Sequence, residues 1–460
     1  MSAFNFALES GDVEHNEAPL ANGEETHTVA NAIAEAEGLA QEAADEEAVA
    51  EDLNDEQEQT EELAETVETE VAQEGALDPT AARLLHLSFR NIVGKTQAAK
   101  KLPATESWAG TRAAARENTR IALEGIKETL KQFWEAIKAQ LKKFYNKVKT
   151  YFVKAFSAAR KLKDRAEKLQ TKANDTIGTI EDKSFSFGQT KAIAVDGKYN
   201  DANTVTKGLT KVKDEIKTRI NELKKGKVDD AIEKAAEDIK KAFSGSGKTR
   251  AASADGVKQL FDSVIAFRNG TTPITSGNVG DAKKYADQYG DAAEISVQGV
   301  FGLPGGKAIV VVVPNSIGNN LETQSQAIKS IRITMGNDKY NPRDVTEGDV
   351  KTLTTSQVDK VCDDVIEIAE TIYEYERSWK EREKMVDKVQ KEIDDTVRDF
   401  DQEDEADSRD QRIFRNFMNG QMNLLRRNVS FQAALCSYGI TTANAFLNYG
   451  ERSVAQHKSK

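Results

Sequence analysis

From Leu123 to Ala155 an apolar residue returns at every third or fourth position: Leu123, Ile126, Leu130, Phe133, Ile137, Leu141, Phe144, Val148, Tyr151 and Ala155. That spacing puts all of them on one face of an α-helix. Trp134, Tyr145, Phe152 and Phe156 widen the stripe, no proline interrupts 112–172, and Gly125 is the only glycine there. The segment reads as one long helix, and fifty residues of it would span about 75 Å. Lys127, Lys131, Lys138, Lys142, Lys143, Lys147, Lys149 and Lys154 line its other faces. Such a helix has three uses. It can bury its stripe in a bundle, lie with the aromatic face on an anionic membrane, or set its cations against nucleic-acid phosphates while the stripe mediates assembly. The last gives salt-dependent binding without base reading.

Charge divides the chain. The net charge of −12 over 460 residues hides two unlike parts. Residues 1–82 hold no Lys or Arg; through Glu106 there are 25 acidic against 5 basic residues, and from Ser107 onward 51 acidic against 59 basic. The first part is therefore −20 and the second +8. The Ala/Glu-rich arm, AEAEGLAQEAADEEAVAEDLNDEQEQTEELAETVETEVAQE, is expected to be disordered, because it repels itself and offers little apolar surface to offset the entropy of ordering. It reads either as a solubilising tail or as a removable segment that neutralises the basic part beside it. The abrupt change of sign near residue 100 favours the second reading.

The expected fold is mainly α with a smaller α+β domain, in four zones. Residues 1–106 form the disordered acidic arm, with a short apolar patch at 76–94 suited to a helix or to docking on a partner. Residues 107–172 form the basic amphipathic helix. Residues 173–350 read as an α+β domain, with helices near 208–224, 228–243, 255–268 and 280–288 and strands at 191–195, 294–303, 308–314 and 330–335. The second and third strands are joined by the hairpin loop PGGK. Residues 351–460 are helical again. Val358, Val361, Val365, Ile368, Ile372, Tyr375, Trp379, Val386, Val389, Ile393 and Phe400 follow a 3–4 repeat breached by Arg382, a coiled-coil pattern. DQEDEADSRD (401–410) ends it before a second helix. A hairpin within the chain and self-association through a coiled coil both fit.

Chemistry-bearing motifs are scarce. Two cysteines, Cys362 and Cys436, and four histidines exclude a disulfide framework and argue against zinc. No cofactor or metal is expected. No run of about 18 apolar residues exists for a membrane span, and MSAFNFALESGDVEHNE is not a secretory signal. AFSGSGKT (242–249) matches the loose phosphate-loop pattern, but that loop needs a buried strand before it and a helix after it. Here a charged amphipathic helix precedes it, so the segment reads as a flexible linker. An NTPase using Gly247, Lys248 and Thr249 would be revived only by nucleotide binding that Lys248→Ala abolishes. Asp363-Asp364 and Asp394-Asp395 read as solvated heptad positions and the cysteines as packing residues.

The tripeptide Ala-x-Glu recurs. Within the first 124 residues it ends at Glu9, Glu42, Glu46, Glu74 and Glu106 in the arm, and at Glu117 and Glu124 inside the helix. Glu74 and Glu106 stand apart because Gly75 and Ser107 follow them in loop-like, proline-flanked sequence. The opening MSAFNFALES, the acidic Ala/Glu arm, the junction ATE (104–106) and the basic helix ALEGIKETLKQFWEAIKAQLKKFYNKVKTYFVKAF together resemble the internal head proteins of giant phiKZ-like tailed phages. The resemblance covers about the first 170 residues. It implies a non-enzymatic virion protein made in the host cytoplasm and packaged inside the capsid. Its propeptide would be cut by the maturation protease after Glu106 or Glu74, leaving Ser107 or Gly75 as the new N-terminus. Its partners would be that protease, packaged DNA bound without sequence preference, and other capsid or inner-head proteins. The competing readings are a protein binding anionic membrane surfaces through the same helix and a cytosolic coiled-coil scaffold.

Overall fold

The computed structural model describes residues 23–74, 76–93, 111–176, 178–224, 227–243, 255–265, 268, 270–291, 294–340, 345, 347–401 and 408–458. The chain is mainly helical with a small sheet portion. Four long helices carry the architecture: α1 (Gly23–Glu74), α3 (Arg112–Asn174), α10 (Thr355–Asp401) and α11 (Ser408–Val454). The 63 residues of α3 span about 95 Å at the α-helical rise. Thr111 starts it by accepting a hydrogen bond from the amide of Ala114 at 3.3 Å.

The arm is not disordered where it is described. Residues 23–74 form a single helix, and α2 (Pro79–Val93) follows it. Considered alone, the segment lacks enough apolar surface to fold, yet alanine and glutamate are strong helix formers. The rest of the chain supplies what the arm lacks. Ile33, Ala36, Ala40, Ala43 and Ala50 are buried in the same core as Ile137, Phe144, Tyr151 and Phe152 of α3. Small alanines let two helix backbones approach closely. α2 then turns back, with Asp78 Oδ1 accepting from the amides of Thr80 and Ala81 at 2.7 and 2.8 Å and Pro79 at the first helical position. Its Leu85 and Phe89 close a second cluster with Ala64 and Val67 of α1 and Ala122, Ile126 and Leu130 of α3.

The apolar stripes of α3 and α10 face each other. Arg160 meets Glu376 at 2.6 Å, Lys163 meets Glu370 at 2.7 Å and Lys138 meets Asp394 at 2.8 Å, so the two helices run antiparallel. Phe152 lies 4.1 Å from Trp379, centroid to centroid. α11 runs parallel to α3: Tyr151 donates to the carbonyl of Ala433 at 2.8 Å, and Arg165 forks onto Glu451 through two hydrogen bonds of 2.7 Å. α10 and α11 are thus a hairpin within the chain, and the stripe of α10 is buried by the chain itself from Val358 to Trp379 and at Val386 and Ile393. At Gly439 of α11 a Cβ would lie 2.4 Å from Ile216 Cδ1 and 3.3 Å from Ile372 Cδ1, so a side chain there would require Ile216 to shift.

Between α3 and α10 the chain forms a short pair of strands, β1 (Ser184–Phe187) with β6 (Gly348–Lys351), and a four-stranded antiparallel sheet ordered β2-β3-β4-β5. The larger sheet comprises β2 (Thr272–Pro273), β3 (Ile295–Leu303), β4 (Lys307–Pro314) and β5 (Arg332–Asn337). The PGGK loop is a hairpin turn as expected, with Gly305 and Gly306 at φ 72° and 64°. Ile309, Val311, Val313, Ile333 and Met335 share the core of the long helices. The other face, Ala308, Val310 and Val312, packs with Tyr285 and Tyr289 beside α8 (Ala282–Asp287). Residues 191–195 are not a strand: Thr190–Ile193 is a helical turn, α4, and Val195 only bridges Lys198 across a tight turn. α5 (Ala202–Lys224), α6 (Lys227–Phe243), α7 (Asp255–Ile265) and α9 (Leu321–Ser330) complete the described elements.

Candidate functional site

The feature of this molecule that most needs a chemical account is the seating of α1. It carries 19 acidic residues and no Lys or Arg over 52 positions, and it lies antiparallel to both α3 and α11. Along α3, Glu35 pairs with Lys154 at 2.7 Å, Glu42 with Lys147, and Glu68 with Lys127 at 3.7 Å. Gln140 donates to the carboxylate of Glu46 and to its carbonyl at 3.1 Å. The first two pairs step by seven residues on each helix, two turns, so the contacts return on one face. The hydrogen bond from Lys154 holds the Glu35 carboxyl below the usual carboxylate range. Glu42 likewise raises the Lys147 ammonium.

Along α11 the register is equally regular. Thr441 donates to Glu37 at 2.9 Å, Asn54 to Asn423 at 3.0 Å, and Glu65 pairs with Arg412 at 2.6 Å. Arg426 is fully buried; it meets Glu51 at 2.9 Å and donates to the Glu47 carbonyl at 3.1 Å. Arg427 lies 3.6 Å from Glu51, and Lys329 of α9 reaches Glu58 at 2.8 Å. Burial pushes the Glu51 carboxyl up, but Arg426 and Arg427 outweigh it and carry it below its ordinary value. Burial and the neighbouring Arg332 push Arg427 down to about 9.

Between these rows runs a buried polar seam. Asn54, Gln57, Glu61, Asn419, Gln421, Arg426 and Asn428 are all buried. Among the described residues, both amide atoms of Gln421, Oε1 of Gln57 and Oε2 of Glu61 have no hydrogen-bond partner. Each such atom costs about 1–3 kcal/mol. Burial raises Glu61 to about 7, against the opposing effects of Arg415 and of the hydrogen bond from Gln57. The α1 interface is therefore alanine-lined and ionic toward α3, and polar with unmet hydrogen bonds toward α11. It is a costlier interface than the aromatic one between α3 and α10.

Five of the eight lysines singled out on α3 are engaged. Lys127, Lys147 and Lys154 pair with α1, while Lys149 meets Glu383 at 2.5 Å and Lys138 meets Asp394 and Glu135. Lys131, Lys142 and Lys143 are exposed. The aromatic face that a membrane-surface reading requires is occupied: Phe133, Trp134, Phe144, Tyr151, Phe152 and Phe156 are buried. Arg412, Arg426 and Arg427 escaped the sequence reading because they interrupt an apolar helical run, although an Arg-Arg pair at stripe positions was itself a signal. Of the cleavage candidates, Glu74 is the last residue of α1; Gly75, Glu106 and Ser107 lie outside the described residues.

The segment before the Gly247-Lys248-Thr249 run is the helix α6 rather than a strand, and residues 244–250 lie outside the described residues. Asp364 is not a solvated position. It is buried, accepts from Thr210 Oγ1 at 2.6 Å and pairs with Lys213 at 3.1 Å, because α5 packs over that face of α10. Cys362 and Cys436 are buried and free, with burial pushing both thiols up to about 12. Among the described residues there is no group of three or more potential metal ligands and no helix long and apolar enough to cross a membrane.

No curated protein and no solved structure matches this chain. One family model does, over residues 29–452, and it takes in α1, α3, the sheet region and the C-terminal hairpin alike. A match of that extent covers the helices that the sequence resemblance reached and the middle region that it did not. The chain belongs to the phiKZ-like phage internal head proteins, and that family places it inside the virion capsid.

Proposed function

We propose that the chain is a structural rather than catalytic component of the capsid interior, whose acidic segment 1–106 is a propeptide. It is made in the host cytoplasm and carried into the assembling head, where it meets the maturation protease and other inner-head proteins. The protease then cuts after Glu in Ala-x-Glu, and the mature chain associates with packaged DNA without reading bases. The observation that carries this reading is the pairing of Glu35, Glu42 and Glu68 with Lys154, Lys147 and Lys127. The acidic segment is laid along the cations it would otherwise leave free for phosphate. Removing 1–106 changes the net charge from −12 to +8, which suits an interior crowded with phosphate.

Glu106 is the better cleavage position of the two. A protease binds extended backbone, and Glu74 ends a helix whose neighbour α2 is itself packed on α3. A cut after Glu74 alone also leaves α2 attached. The test is semi-tryptic mass spectrometry of protein taken from particles. A mature N-terminus at Ser107, or at Gly75, supports the reading. A chain that still begins at residue 1 or 2 overturns it.

A further inference from the structure

The α1 seat has a geometry that the maturation reading does not itself require. Its 19 acidic residues over 52 helical positions put one negative charge about every 4 Å along the helix, using the 1.5 Å rise. A DNA strand carries one every ~3.4 Å. The bed beneath α1 holds two cationic rows. On α3 they are Lys127, Lys147 and Lys154; on α11 they are Arg412, Arg426 and Arg427. From Lys127 to Lys154 the row covers about 40 Å of helix. The three arginines matter most, because guanidinium groups recognise phosphate in a planar, bidentate way that lysines do not.

We infer that α1 is a tethered mimic of a phosphate backbone, and that the trough it occupies between α3 and α11 is the nucleic-acid site of the released chain. This rests on the proposal that the segment is removed. The mimic explains two features. One is the polar seam: a permanent core would fill the positions of Gln57, Glu61 and Gln421 with leucine, whereas amides and arginines left by a departing helix can be rehydrated or paired with phosphate. The other is the choice of partners, since the glutamates of α1 address cations on two helices far apart in sequence.

The test uses the full chain and a random-sequence duplex of about 30 base pairs, with affinity measured by fluorescence anisotropy across a salt series. One variant, Glu35→Gln/Glu42→Gln/Glu51→Gln/Glu65→Gln, removes carboxylates that face the trough. A second, Asp45→Asn/Asp52→Asn/Glu62→Gln/Glu70→Gln, removes the same charge from exposed positions of α1. The first is expected to bind at least about tenfold more tightly than the second. Equal gains would mean that bulk charge alone acts, and would overturn the inference. Adding Arg412→Gln/Arg426→Gln/Arg427→Gln to the first variant should abolish the gain and lower the salt slope by about one per cation removed. Should circular dichroism show that the arginine variant is unfolded, Lys147→Gln/Lys154→Gln provides the same comparison from half-exposed positions, with a slope loss of about two. An unchanged slope there counts against the trough. The two proposals fail separately. An uncut N-terminus in particles sinks the maturation reading, whereas a cut chain whose DNA affinity ignores the trough substitutions sinks only this one.

Discussion

Glu61 sits in an environment far from what its chemistry prefers. It is 3 % exposed, with one carboxylate oxygen unpartnered among the described residues and the other accepting from Gln57 Nε2 at 2.9 Å. Its folded value near 7, against about 4.5 unfolded, means that the folded state holds the proton more tightly. The stability that Glu61 contributes is therefore fully present below about pH 4.5 and is lost as pH rises through about 7. Glu61→Gln keeps a neutral, similarly shaped side chain. It should leave Tm nearly unchanged at pH 5 and raise stability at pH 8 by on the order of 2–3 kcal/mol, read from thermal melts of the intact chain. Parallel pH profiles for the two proteins would show that the carboxyl is solvated. Glu61 also marks where sequence reading stopped. In α1 the core face runs Ile33, Ala36, Ala40, Ala43, Glu47, Ala50, Asn54, Gln57, Glu61, Ala64 and Val67, all buried. The 3–4 spacing is as strict as in α3, but alanine hardly registers as apolar and four of the positions are polar. Periodicity of hydrophobicity could not show it, and composition pointed to disorder.

At the scale of elements, α3 and α10 were legible because large apolar side chains recur on one face and no proline breaks them. The strand pair β1 and β6 was not: SFSF alternates over only the four residues that are the minimum for such a signal, and GDVK has a single apolar residue. Residues 191–195 failed for the opposite reason. KAIAV, with four apolar residues in a row, resembles a short buried strand, but Thr190–Ile193 is one helical turn and the chain then turns at Asp196 and Gly197, both at positive φ. The arginines of the trough were invisible as a site because the two rows come from helices about 270 residues apart, and nothing in sequence sets their register. The α1–α3 interface makes its own prediction. Ala40 and Ala43 are completely buried, so the helices touch at alanine distance and cannot take a longer side chain without moving apart. Ala43→Leu should cost about 1–3 kcal/mol by overpacking. The loss should appear first as faster proteolysis within residues 23–74, while Tyr151 and Trp379 stay protected from solvent. Uniform destabilisation, with the aromatic cluster and α1 opening together, would mean that α1 is not a separable unit.

For the molecule as a whole, the position of α11 decides what kind of object this protein is. From Phe414 to Tyr449 the helix is buried almost throughout, walled by α1, α3, α10, α5 and the sheet edge at β5. Such a helix has no water-facing side of its own and takes its place only when its covers are present. One of those covers is α1, which belongs to the part that the proposed maturation discards. A chain beginning at Ser107 would then hold a shape that the longer chain reached, with a barrier rather than an equilibrium keeping it there. The expected behaviour is hysteresis. Protein cut after residue 106 in the native state keeps its helical circular dichroism. After denaturation in guanidinium and dilution, the full-length chain should regain that signal and the shortened one should not. Equal recovery of both would show that residues 1–106 are dispensable for reaching the fold. On this view the acidic segment works as a mould, and a particle that has lost it cannot remake the parts it contains.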